Sequence, residues 1–241
     1  MKPAPRLFLD ASLAAAGEIV LSREQAHYLT GVLRLGPGDP LRCFNGRDGE
    51  WLAYLASVTK KQVTVRCERR LAEVMPPPDV DYVFAPLKHA RLDYVVQKAT
   101  ELGARRLRPV ITERTVAGRV NLERMRANVI EAAEQCNLVF VPEVHEPEKL
   151  AIVLAAWDPA RRLVHCDEMA PVANPLAALT GLATPAAVLV GPEGGFTDAE
   201  KALLKALPFV TAISLGPRIM RADTAAVAAL ALVQAVLGDW T

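Results

Sequence analysis

Two glycine–proline turns constrain this chain more than any other feature. They are Gly191-Pro192-Glu193-Gly194-Gly195-Phe196 and Gly216-Pro217-Arg218-Ile219-Met220-Arg221-Ala222-Asp223-Thr224. Each follows a short apolar run, Ala187-Val188-Leu189-Val190 in the first case and Ala212-Ile213-Ser214-Leu215 in the second. Each precedes a helical pattern. Repeated strand–turn–helix units build the parallel sheets of α/β domains. Glycine in such turns supplies positive φ or lets main chain approach closely. The expectation is a pocket walled by peptide groups at the ends of two adjacent strands, where open α/β sheets hold small ligands.

The rest of the chain falls into two rhythms. Residues 1–74 read as mostly β, with strands at Arg6–Leu9, Glu18–Leu21, Leu41–Phe44, Glu50–Thr59 and Gln62–Cys67. Lys60-Lys61 forms a hairpin tip, and Asn45-Gly46 and Asp48-Gly49 supply turn chemistry. One helix interrupts them. Ser22-Arg23-Glu24-Gln25 is a capping box, followed by Ala26, Leu29, Val32 and Leu33 on one face. Short strands with one helix in so few residues fit a small barrel. Met75-Pro76-Pro77-Pro78-Asp79 then reads as a stiff linker over residues 75–79, because three prolines neither continue a helix nor sit in a central strand.

Residues 80–241 alternate strands and helices. Val80–Ala85, Leu107–Ile111 and Leu163–Cys166 read as strands. Arg91–Leu102 is an amphipathic helix stopped by Gly103, and Asn121 caps a helix running to about Cys136. Thr197-Asp198-Ala199-Glu200 is a second capping box directly after Phe196. The last helix, Asp223–Leu237, is apolar nearly all round, which predicts burial on several sides or a place in a subunit interface.

Composition narrows the function classes. The formal charge is only +1, yet residues 1–136 hold 21 Lys and Arg against 16 Asp and Glu. Excess positive charge therefore sits before the glycine turns, either as solvated surface or as a polyanion-binding face. Cys43, Cys67, Cys136 and Cys166 are scattered, and no metal-ligand spacing surrounds His27, His89, His145 or His165, so no metal is expected. The N-terminal residues lack a signal-peptide h-region, and the longest apolar run, Ala225–Leu237, is too short to span a bilayer. A cytoplasmic protein with free thiols is the expectation.

Neither glycine turn matches a nucleotide fingerprint. G-P-E-G-G lacks the G-x-G-x-x-G spacing and carries no following Lys-Ser/Thr, which excludes a P-loop and disfavours a dinucleotide fold. Glu193 in one turn and Arg218, Arg221 and Asp223 in the other are expected to meet each other, solvent or a ligand, since unpaired buried charge is costly.

Read together, these segments resemble the SPOUT superfamily of S-adenosylmethionine (SAM) methyltransferases, within it the bacterial 16S ribosomal RNA uridine-N3 methyltransferase family. The resemblance rests on His27-Tyr28-Leu29 through Arg34, Gln97–Gly103, Glu131–Cys136, both glycine turns and the Gly238-Asp239-Trp240 ending, and it covers nearly the whole chain. It implies a PUA-like β-barrel followed by a trefoil-knotted α/β domain, working as a homodimer on 16S rRNA of the small subunit. It assigns SAM to Val190, Gly191, Pro192, Glu193, Gly194 and Gly195 and to the span Leu215–Arg221, including Gly216, Ile219 and Met220. The end of the His165-Cys166-Asp167 strand is a third wall. Asn137-Leu138 stands where the family commonly has Gly-Arg, and Asp223 where many members have Glu.

The resemblance also implies a chemistry. Uracil N3 reacts as the deprotonated imide, so a nearby cation that stabilises the anion promotes attack. Arg221 is expected to do this, with Asp223 or Glu193 accepting the proton. The structural alternatives are an Arg221–Asp223 ion pair that fixes the loop, and Glu193 capping its own turn. Lys60, Lys61, Arg66, Arg69, Arg70, Lys88, Arg91, Arg114 and Arg119 are the candidate RNA contacts. Competing functions are another SPOUT RNA methyltransferase, acting on ribose 2′-OH or transfer RNA, and a non-catalytic ribosome-assembly protein of the same fold.

Overall fold

The computed structural model describes residues 4–88, 90–116, 118–170 and 174–240. His89 lies outside them. Residue contacts divide the chain into two compact units, Met1–Met75 with Ala133–Val141, and Pro76–Ala132 with Pro142–Thr241.

The first unit contains β1 (Arg6–Phe8), β2 (Glu18–Val20), α1 (Arg23–His27), β3 (Pro40–Phe44), β4 (Glu50–Val58) and β5 (Val63–Ala72). The strands form one curled sheet, a half-barrel in the order β1-β3-β4-β5-β2. Alternate residues point inward, as the period-2 pattern requires. Leu41 and Cys43, Ala53 and Leu55, and Val63, Val65 and Cys67 close on Leu7, Leu9 and Leu29. Lys60 and Lys61 sit at the β4–β5 tip, closed by the Thr59 N–H donating to the Gln62 carbonyl at 3.0 Å.

The helix differs from its expected course. Ser22 and Gln25 form the capping box, but a π-helical turn at Tyr28–Val32 follows α1. The wider turn rotates everything after it relative to α-helical spacing. Leu29 stays buried, while Val32 and Leu33 face solvent instead of sharing its face. Arg6, buried in this unit, pairs with Glu50 at 2.6 Å and donates to the carbonyls of Ala133, Glu134 and Leu138.

The second unit comprises β6 (Val80–Phe84), α2 (Ala90–Glu101), β7 (Arg106–Ile111), α3 (Leu122–Gln135), β8 (Glu143–Val144), β9 (Glu148–Lys149), α4 (Leu150–Ala155), β10 (Arg162–Cys166), α5 (Pro175–Leu179), β11 (Ala186–Val190), α6 (Asp198–Ala206), β12 (Val210–Ile213) and α7 (Ala222–Leu237). The last residues of α3, from Ala133, group with the first unit. The strands form a parallel sheet in the order β12-β10-β11-β6-β7-β8, with β9 also on β7. Every residue of β6 and β11 is buried, the mark of central strands covered on both faces.

α7 packs on α2, α5 and β11. Its buried Gln234 donates to the Leu102 and Gly103 carbonyls at 2.8 and 3.1 Å, satisfying the end of α2. At the N-terminal ends of the strands, Asp81 is fully buried between Arg106 at 3.0 Å and Arg108 at 2.7 Å. Burial raises its carboxyl above the usual range despite these arginines and Arg161. Asp79 is also resisted by burial, but the hydrogen bond and charge of Arg161, with Arg106 and Arg105, bring it below that range. This ionic cluster braces one end of the sheet and leaves the C-terminal ends free.

No helix among the described residues is long and apolar enough to cross a membrane, and no group of three metal-ligating side chains occurs among them.

Candidate active site

A cleft of about 580 Å³ opens at the C-terminal ends of β10 and β11, walled also by Ile219–Ala222 of the turn that follows β12. The two glycine turns leave β11 and β12, which are not adjacent. β10 lies between them, pairing with β11 on one side and β12 on the other. The end of β10 therefore forms the middle of the site, and His165, Cys166, Asp167 and Glu168 line it.

The first turn is shaped by Phe196, which folds back beneath it. A Cβ on Gly191 would stand 2.7 Å from the Phe196 ring, so only glycine lets the main chain pass. The Gly195 N–H donates to the Pro192 carbonyl at 2.8 Å, and Thr197 with Glu200 makes the capping box that starts α6. Phe196 meets His165 edge to face at 5.1 Å. Burial lowers the His165 pKa to about 4, opposed by Asp167 and aided by Lys201, so the imidazole is neutral at physiological pH. Its Nε2 has no hydrogen-bond partner among the described residues. Burial also pushes the Cys166 thiol up to about 12, which keeps it protonated and poorly nucleophilic.

The second turn contributes Ile219, Met220 and Arg221 to the cleft. Arg221 is the N-cap of α7, its carbonyl accepting from the Ala225 N–H at 2.8 Å while its side chain is exposed. Ile219 is 87% exposed, an apolar side chain left open at the cleft. Two arginines from other elements complete the rim. Arg114 donates to the Gly194 carbonyl at 3.0 Å. Arg91, in the first turn of α2, lies 3.9 Å from Glu193 and 3.8 Å from Asp223.

Peptide groups from glycine turns, an open apolar patch and cations facing carboxylates can enclose a small heterocyclic ligand beside a reacting anion. A model of the RNA methyltransferase domain matches residues 75–234, and a model of the RNA methyltransferase PUA domain matches residues 21–68. The chain belongs to the RNA methyltransferase family. Ribosomal RNA small subunit methyltransferase E of Rickettsia conorii is 32% identical over 95% of this chain and 94% of that protein. The methyltransferase of Legionella pneumophila solved with bound cofactor SAM is 30% identical, with a TM-score of 0.84 over 98% of this chain and 99% of that one. Ribosomal RNA small subunit methyltransferase E of Neisseria gonorrhoeae, solved bound to S-adenosyl methionine, is 26% identical, with a TM-score of 0.87 over 99% and 100%. The expected fold class, a PUA-like first unit with a SPOUT α/β second unit, is the observed one.

In this RNA methyltransferase the residues picked from sequence are distributed unevenly. Val190, Gly191, Pro192, Glu193, Gly194, Gly195, Ile219, Met220 and Arg221 line the cleft, whereas Leu215, Gly216 and the proposed proton acceptor Asp223 are not among its walls. Gly216 instead takes φ +109 to turn the chain out of β12. Arg91 and Arg114, read from sequence as RNA contacts, stand in the cleft rim, and Lys88 lines a neighbouring pocket. Lys60, Lys61 and Arg66 belong to the first unit, where Arg66 pairs with Glu18 across β5 and β2. Phe196 and Lys201 are further wall residues, and Arg91 is the partner of both acids, roles beyond those expected from the sequence. The signal for Arg91 was its place in the helix turn that follows a parallel strand, which aims it at the strand ends.

Proposed function

We propose that this protein is a SAM-dependent methyltransferase of small-subunit ribosomal RNA, and that it methylates N3 of a uridine. The observation that carries this reading is the cleft of main-chain glycines at the β10 and β11 ends, within a fold shared along its whole length with relatives bound to that cofactor. The residues fit the group. Gly191, Gly194 and Gly195 leave room for a planar ring against peptide groups, and the orphaned Nε2 of His165 offers a polar contact at the β10 wall.

When bound, the sulfonium nucleoside supplies an activated methyl group. The chain's own residues place and prepare the nucleophile. Arg221, exposed and without a partner in its own turn, reaches toward the uracil and stabilises the imide anion. Glu193, which lines the cleft, or Asp223, which adjoins it through Arg91, accepts the N3 proton, with Arg91 within 4 Å of both carboxylates. N3 lies on the Watson–Crick edge, so the base must be unpaired or flipped out to react. We take the unit boundary to fall in the Met75–Asp79 segment. Homodimerisation is supported by α7, whose Val227, Leu232 and Val236 stay only partly buried, and by exposed Trp240. Action on ribosomal RNA accords with a cytoplasmic location.

The test is incubation with labelled SAM and small ribosomal subunits lacking the modification, followed by nucleoside mass spectrometry. Label in 3-methyluridine is expected. Label on a ribose 2′-oxygen, or SAM binding without transfer, would replace this reading with one of its rivals. Light scattering in solution checks the dimer.

A further inference from the structure

A second cavity, of about 520 Å³, lies against the first turn of α2, and its lining residues are sequence neighbours of two that line the cleft. Arg91 and Arg114 face the cleft, while their near neighbours Lys88, Leu92 and Val116 face this pocket. Arg91 and Leu92 are consecutive in α2, and Arg114 and Val116 lie two residues apart in the loop after β7.

The lining has a definite chemistry. Leu87 and Met125 are buried and form an apolar floor with Leu92, and Val116 stands 59% exposed at the edge. The acid in the pocket is already engaged. Asp93 receives the Arg124 guanidinium through both oxygens at 2.8 and 2.6 Å, and the Asn128 amide at 2.8 Å. Lys88 and Arg119 are exposed and pair with no acid among the described residues. Pairing thus cancels the one negative charge and leaves two positive ones over hydrocarbon. Apolar surface takes the face of an unstacked base, and ammonium and guanidinium groups take the phosphates on either side.

We propose that this pocket binds a nucleotide of single-stranded RNA next to the one being methylated, with Lys88 and Arg119 on its phosphates and its base against Leu92 and Val116. The inference rests on the RNA methyltransferase reading. A strand that presents one flipped base to the cleft must carry its neighbours over the adjoining surface, and this pocket is a cationic recess beside Arg91 and Arg114.

The experiment compares wild type with Lys88→Ala/Arg119→Ala, with the charge-keeping Lys88→Arg/Arg119→Lys, and with Val116→Asp, which sets a carboxylate over the apolar part. Methyl transfer to small subunits is measured against subunit concentration, SAM affinity by calorimetry, and binding of protein-free small-subunit RNA against salt. The alanine pair and Val116→Asp should raise KM by about 10-fold or more with a much smaller change in kcat and with SAM affinity retained. The alanine pair should also flatten the salt dependence by about 1.4 log units per log unit, roughly 0.7 for each single-strand phosphate that is no longer neutralised. The charge-keeping pair should restore most of both.

Unchanged KM and salt slope in the alanine pair, with SAM still bound, overturns the pocket and leaves the enzyme reading standing. An effect seen on assembled subunits but not on protein-free RNA also overturns it, in favour of a protein contact. Wild type that binds SAM yet transfers nothing would instead sink the functional reading on which the proposal depends.

Discussion

Arg91 and Asp223 face each other across the rim of the cleft, Nε to Oδ2 at 3.8 Å, and the same guanidinium comes within 3.9 Å of Glu193. The start of α2 thereby links the first glycine turn to the start of α7. The Arg91 side chain is 42% exposed, and solvent screens such pairs enough that they add little to stability. Their effect is on orientation. Arg91→Ala is expected to lower single-turnover methyl transfer by roughly 10- to 100-fold, as loss of a positioned electrostatic group does, with little change in melting temperature. Arg91→Lys should fall between, because an ammonium cannot span both carboxylates as a fork does. Turnover within a factor of two of wild type in the alanine variant would remove Arg91 from the site.

The cleft was legible in the sequence because glycine, proline and capping residues act locally. Gly195, with its positive φ, and the Thr197–Glu200 capping box act within the turn itself, and Gly191 makes way for Phe196 five residues on. What local signals could not show was which strand lies between the two turns. β10 is inserted there by long-range pairing of His165 with Leu189 and Ala212, and nothing near either glycine turn encodes it. The same reason hid Arg91, separated from Asp223 by most of the domain. β8, β9, α4 and α5 were missed because elements of two to six residues leave too little periodicity to read. In the first unit, the turn at Tyr28–Val32 defeated the α-helical spacing because π geometry changes which residues share a face.

Gly191 should tolerate no side chain. An added Cβ would come within 2.7 Å of Phe196, whose ring is buried and cannot swing away. Gly191→Ala is expected to cost about 1–3 kcal/mol of stability, the usual range for overpacking, and to weaken SAM binding by distorting the turn. Adding Phe196→Leu should relieve part of that strain, so the double variant loses less than the two single losses combined. Calorimetry and denaturant titration on the cycle measure both effects, and strict additivity would refute the contact.

His165 predicts a pH dependence with a definite sign. In the unfolded chain its imidazole takes a proton near 6.5, but in the fold burial delays this to about 4. Between those values the unfolded state holds more protons, so its contribution to stability is complete above 6.5 and disappears as pH falls toward 4. The loss across the window is roughly 3 kcal/mol at about 1.36 kcal/mol per pH unit. Urea unfolding from neutral pH down to about pH 4 should show this decline, and His165→Phe should flatten it. An equally steep decline in the variant would assign the effect to other groups.

In the first unit, the buried Arg6–Glu50 pair makes a prediction about stability rather than catalysis. Arg6 spends its guanidinium on Glu50 at 2.6 Å and on three carbonyls in the 133–138 segment, and it lies 4.3 Å from the Phe44 ring centroid. Removing it strands a buried carboxylate, because Arg42 reaches Glu50 only at 3.4 Å and is itself partly exposed. Arg6→Met should therefore cost about 3–5 kcal/mol, the penalty typical of breaking a buried pair from one side. Arg6→Met/Glu50→Leu should recover part of that loss by deleting the stranded charge, although the three carbonyls still lack their donor. The single variant unfolding at lower urea than the double is the diagnostic. If Arg6→Met alone stays within about 1 kcal/mol of wild type, the scale of an ordinary surface substitution, the pair does not hold this unit together.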